Sequence, residues 1–196
     1  MISKGLRLLL IFDAISILIA GMFGPLYGIF VERIGGDILQ ASSIWTAFLF
    51  TAGVLTFVLS RWVDSHRHYR KLLLANYAMQ TIGYIGYLFV QNPLTLLIVQ
   101  VVFGVARALG SPAYDALYSI NTDRKHPAYS WGLWESMQPI TTAAGALIGG
   151  LVASIYGFST LFMLMSIVSL MSLAYIVINA PKIPESTIRA SMSKAF

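Results

Sequence analysis

Apolar blocks of about 20 residues follow one another along almost the whole chain, and that is the length a helix needs to cross a hydrocarbon core of about 30 Å. The first, "LRLLLIFDAISILIAGMFG", is typical of the rest. Charged residues make up 11% of the chain, less than half of the roughly 25% usual in a soluble domain. Mean hydropathy is +0.74. The N-terminus opens like a secretion signal, but its apolar run is too long, carries Asp13 and is followed by further blocks, which makes it a first membrane span. Basic residues fall between membrane-length segments rather than on one folded face, which excludes a nucleic-acid module. With no cysteine there is no disulfide framework and no thiolate metal site. The expectation is an all-α, multi-pass membrane protein that needs no cofactor.

Apolar runs and their punctuation predict six transmembrane helices, at about 6–30, 41–62, 71–90, 93–120, 131–156 and 159–178. They form one domain, 1–180, followed by a polar tail, 181–196. "VERIGGDILQ", "QNP" and "YGF" separate the spans on one side. On the other lie Lys4, Arg7, Arg61, Arg67, Arg70, Lys71, Arg124, Lys125, Lys182, Arg189 and Lys194, against Arg33 alone opposite. By the positive-inside rule both termini and the tail are cytoplasmic, and the membrane is the plasma or inner membrane. "GPLYG" in the first span and "SPAYD" in the fourth share a Pro-x-Tyr at opposite depths, as a three-plus-three repeat of inverted topology would place them.

In lipid a span with a polar row turns that row toward protein or water. The fourth span carries Gln100, Gly104, Arg107, Ser111, Tyr114 and Tyr118 at steps of three and four. The first carries Asp13, Ser16, Ala20, Gly24 and Tyr27, and the fifth Glu135, Gln138, Thr142, Gly145 and Gly149. These three are expected to face a cavity. The second span offers only small residues, Thr46, Gly53, Thr56 and Ser60, which suit close helix packing. The third has Asn76, Gln80, Gly83 and Tyr87, and the sixth, with little beyond serines, is expected to face lipid. Counting 1.5 Å per residue puts Asp13 about 10 Å, Arg107 about 9 Å and Glu135 about 6 Å from the cytoplasmic end, with Asp115 at the interface itself. An unpaired charge in that layer costs at least about 2.5–3.5 kcal/mol. Two assignments stay open: a substrate site or proton relay of Asp13, Arg107 and Glu135, or an ion pair that fixes helix register.

The loop "SRWVDSHRHYRK" concentrates charge between the second and third spans. Together with "GVARALGSP" around Arg107, the glycine-rich "AAGALIGG" and the turn "IYGFSTLFML", it resembles one six-helix half of a major facilitator superfamily transporter. The resemblance covers nearly the whole chain. It departs from the family's Gly-x-x-x-Asp signature by Ser60 in place of the glycine and by the lack of a glycine after Asp64. It implies a cytoplasmic gate of Asp64, Arg67, Arg70 and Lys71, with Asp64 facing a helix N-terminus of another half. Members normally have twelve helices in two halves, so a second half must come from a homodimer, a partner or a longer chain.

The expected function is a secondary active transporter subunit that moves a small solute by alternating access. Proton coupling runs through Asp13 or Glu135, and Ser16, Tyr27, Ser111, Tyr114 and Gln138 line the pathway. The expected working unit is a parallel homodimer closed by Gly53 and Thr56 of the second span and the Gly145–Gly149 pair of the fifth. A non-transporting membrane scaffold and the N-terminal half of a twelve-helix transporter are the alternatives. An intramembrane hydrolase is disfavoured, because His66, His68 and His126 all fall in loops rather than at membrane depth.

Overall fold

The computed structural model describes residues 2–123 and 125–185. Arg124 and residues 186–196, most of the expected tail, lie outside the described residues. The described secondary structure is helical: α1 (Lys4–Phe23), a 3₁₀ turn (Gly24–Leu26), α2 (Tyr27–Arg33), α3 (Ile38–His66), α4 (Tyr69–Tyr87), α5 (Pro93–Asn121) and α6 (Pro127–Asn179).

Local chemistry sets the ends. Ser3 caps α1 by accepting from the Leu6 amide at 3.1 Å. Asp37 and Gln40 form a capping box at the start of α3, with the Gln40 amide 2.7 Å from the Asp37 carboxylate. Asn92 and Thr95 do the same for α5, where Pro93 takes the first helical position and gives up no intrahelical bond. Pro25 falls in the 3₁₀ turn, so the expected first span is two helices with a tightened joint.

The reversal expected around "YGF" is made by one residue. α6 is 53 residues long and is broken only at Gly157, with φ 83° and ψ 172°. That backbone region is essentially open to glycine alone. A straight helix of this length would reach about 80 Å. Instead, Trp134 before the break and Tyr175 after it meet adjacent α1 residues, Asp13 and Phe12. Gly149 and Phe162 likewise meet Met22 and Phe23. The two limbs of α6, 127–156 and 158–179, are therefore antiparallel.

Segments Lys4–Arg33, Ile38–His66, Pro93–Asn121 and Pro127–Lys182 are long and apolar enough to cross a membrane. The 19-residue α4 falls short in hydropathy because Arg70 and Lys71 begin it and Asn76 and Gln80 interrupt it. Two cores hold the bundle. The basal one, at the N-terminal end of α1, centres on Leu6, Leu9, Phe12, Leu117, Tyr118 and Ile176. The distal one is aromatic: the Tyr87 and Phe162 rings stack at 5.0 Å, and Phe23 meets Phe162 at 5.2 Å.

Glycines let the backbones touch. A Cβ on Gly145 would strike the Leu18 carbonyl, one on Gly149 the Met22 carbonyl, and one on Gly21 would lie 2.8 Å from the Thr142 oxygen. This corrects the expected dimer face. The Gly145–Gly149 pair is consumed inside the chain, where it seats α6 against α1. Gly53 is exposed with nothing within 4 Å of an added Cβ, and Thr56 is half-buried. The sixth span is also not simply lipid-facing: Ser166, Ser169 and Ser172 are buried, and the Ser169 hydroxyl lies 2.8 Å from that of Thr81 on α4.

After α6 the chain crosses the basal end as a strap. Ile183 is 1% exposed within the basal core, and the Pro184 carbonyl accepts from the Asn121 amide at 3.2 Å. Glu185 accepts from the Arg70 backbone N–H at 2.6 Å and pairs with its guanidinium at 2.7 Å. Burial pushes the Glu185 carboxyl up, but the two Arg70 hydrogen bonds and the guanidinium charge pull harder and hold it below its ordinary value. A depressed carboxylate stabilises above the unfolded-state pKa and loses that contribution as pH falls through the folded-state pKa. Glu185→Gln is expected to lower thermal stability at neutral pH by at most about 1 kcal/mol, as partly exposed pairs do. In a melting series the wild-type advantage should fade as pH falls below the ordinary carboxylate range.

Candidate functional site

A cavity of about 360 Å³ lies between the two cores. Six of the eight residues expected to line the pathway meet there: Asp13 and Ser16 from α1, Arg107, Ser111 and Tyr114 from α5, and Gln138 from α6. Their spacing in sequence explains this, since residues three or four apart share a helix face. Tyr27 lines a smaller neighbouring cavity of about 130 Å³. Glu135 is a correction: it is exposed and absent from the lining, while its neighbour Trp134 occupies the wall. A one-residue step turns a helical side chain by about 100°, enough to carry it off the cavity face.

The Trp134 indole N–H donates to the Asp13 carboxylate at 2.5 Å. A chain of hydrogen bonds runs up the next wall: the Ser16 hydroxyl donates to the Gln80 carbonyl at 2.7 Å, and the Gln80 amide donates to the Asn76 carbonyl at 2.9 Å. Gly110 leaves the room that the Asn76 amide fills. The Tyr114 hydroxyl is buried close to the Asp13 carboxylate. Arg107 shares the cavity with Asp13, yet no ion pair within 4 Å joins it to Asp13 or Glu135. The alternative of a register-fixing ion pair therefore has no support in this geometry.

Two contributions escaped the expected site. α4 supplies Asn76, Tyr77, Gln80 and Tyr84 to the lining. The signal was present as the row 76, 80, 83 and 87, and the polarity that lowers the hydropathy of α4 marks it as cavity-facing. Asp115, expected at the interface, also reaches the cavity.

The expected gate residues are divided. Asp64 lies exposed in the last turn of α3, and Arg67 closes that helix in the left-handed conformation at φ 49°, ψ 31°. Arginine thus makes the tight turn for which the signature would use glycine. Arg70 is engaged by Glu185 and by the Pro181 carbonyl at 3.1 Å, and Lys71 is exposed.

The family model described as Major Facilitator Superfamily matches residues 9–195. The chain belongs to the Major Facilitator Superfamily. It is therefore a multi-pass membrane protein of a transporter family. It is similar to the "Multidrug resistance protein MdtG" of Yersinia enterocolitica (serotype O:8, biotype 1B), at 24% identity over 159 residues. That match covers 79% of this chain and 38% of the relative, so the chain spans well under half the length of the relative it matches.

Proposed function

We propose that this superfamily member is a secondary active transporter subunit that carries a small organic solute by alternating access, with Asp13 as the proton-exchanging group. The observation that carries this is the cavity between helices that Asp13, Arg107 and Tyr114 line together. A carboxylate that shares a cavity with a guanidinium can take up and release a proton as its surroundings rearrange. The relative's multidrug name brings drug-like organic solutes in as the class to test. Uptake or efflux by vesicles containing the purified chain separates this function from that of a non-transporting scaffold, which would show none.

Counting α1–α2 together and the limbs of α6 separately gives six crossings. The Lys/Arg distribution supports a cytoplasmic basal end. The packing supports an inverted repeat. α1 meets the first limb of α6 through Gly21, and α5 meets α3 through Gly104, whose Cβ would lie 2.9 Å from the Phe48 carbonyl. Exchanging the first span for the fourth and the second for the fifth converts one of these pairs into the other.

A second half completes the pathway, and we place a second copy there. α3 exposes Phe50, Phe57 and Val58, and the first limb of α6 exposes Ile140, Leu147 and Leu151. Because the chain lacks cysteine, single cysteines at Gly53 or Leu147 are expected to give disulfide-linked dimers in membranes. Met171, on the exposed face of the second limb, should give none. Crosslinking mainly through Met171, or a detergent-stable monomer that still transports, would sink the dimer.

A further inference from the structure

The smaller cavity differs in kind from the charged one. Phe23, Tyr27, Trp45 and Tyr87 line it, and its volume is about 130 Å³. An engineered apolar cavity of about 150 Å³ binds one benzene molecule. Ala20, Phe48, Tyr84 and Phe103 line both spaces, so they are adjoining compartments with a common wall. The charges of Asp13, Arg107 and Asp115 are confined to the larger one.

We infer that the smaller cavity is an apolar subsite of the solute pathway, receiving one ring-sized group of a solute whose cationic head lies beside Asp13. The inference rests on the larger cavity being the solute site. A cationic head fits that compartment because two carboxylates there face one guanidinium, and the rings of Tyr77 and Trp134 add faces that attract cations. Gly24 also lines the small cavity, and a Cβ there would meet nothing within 4 Å, so a larger side chain has room at its wall.

Two tryptophans make the inference testable, since Trp45 lines the small compartment and Trp134 the large one. The full chain in lipid nanodiscs is titrated with tetramethylammonium, a head alone, and with benzyltrimethylammonium, a head plus one ring. Fluorescence is read in wild type, Trp45→Phe and Trp134→Phe. Benzyltrimethylammonium is expected to bind at least about tenfold more tightly and to perturb both tryptophans, whereas tetramethylammonium perturbs Trp134 only. Gly24→Leu should bring the two affinities to within about twofold, with Gly24→Ala intermediate. Equal affinities in wild type would overturn the subsite. So would a ring advantage that survives Gly24→Leu while Trp45 stays silent. A ring advantage seen in detergent but absent in lipid would mean that an acyl chain is the occupant, and would also overturn it. Tetramethylammonium binding without a ring advantage removes the subsite alone. Failure of both cations to perturb Trp134 removes the larger cavity as a solute site as well.

Discussion

Proteoliposomes carrying Asp13→Asn protein are expected to lose all pH-driven accumulation of benzyltrimethylammonium while still exchanging internal for external solute. The substitution is mild in structure. The asparagine carbonyl can accept the same indole hydrogen bond that Trp134 gives to Asp13 at 2.5 Å. What it removes is the carboxylate charge and its proton, in a cavity that also holds the Arg107 guanidinium. Glu135→Gln, which alters a carboxylate off the cavity lining, is expected to leave accumulation within about twofold of wild type, as changes away from a site generally do. If Asp13→Asn still concentrates the cation against its gradient, the coupling assigned to this residue fails.

The second large effect is expected on stability. Gly149→Ala should lower the melting temperature of the purified protein by about 5–10 °C, because an added Cβ would strike the Met22 carbonyl of α1. Overpacking against a flexible side chain can relax, but a backbone carbonyl held in a helix has little freedom to move. The contrast is next door: Gly150 has nothing within 4 Å of an added Cβ, so Gly150→Ala should be neutral or slightly stabilising. Equal melting temperatures for the two variants would show that α1 and α6 are not seated on each other as described. The same contact explains why a Gly-x-x-x-Gly spacing does not by itself identify a dimer face, since it serves packing within a chain as readily as packing between chains.

Much of the bundle was legible because membrane physics leaves few choices. A twenty-residue apolar block bounded by Asp37 and Gln40, or by Asn92 and Pro93, states both its state and its start. Polar rows at helical spacing likewise placed Asp13, Ser16, Arg107, Ser111, Tyr114 and Gln138 on one cavity. What periodicity does not convey is rotation within a few tens of degrees. Trp134 and Glu135 are adjacent in sequence, and only packing against Tyr114 and Tyr118 decides that the ring, not the carboxylate, turns inward. The role of α4 was hidden for a different reason: its row of amides and tyrosines has no charge to draw attention to it. The strap through Ile183 was also not visible, since a polar-looking segment after the last span gives no sign of a plugged apolar side chain.

Gly157 has a mechanical consequence. A reversal made in one residue leaves no loop between the limbs of α6, so any change in their mutual angle is concentrated at Gly157. The first limb is keyed to α1 at Gly145 and Gly149, and the second touches α4 through Ser169 and Thr81. The second limb also meets α1, through Tyr175 on Phe12 and Phe162 on Phe23, so a tilt of the Trp134 limb at the charged cavity is expected to be resisted by both α1 and α4.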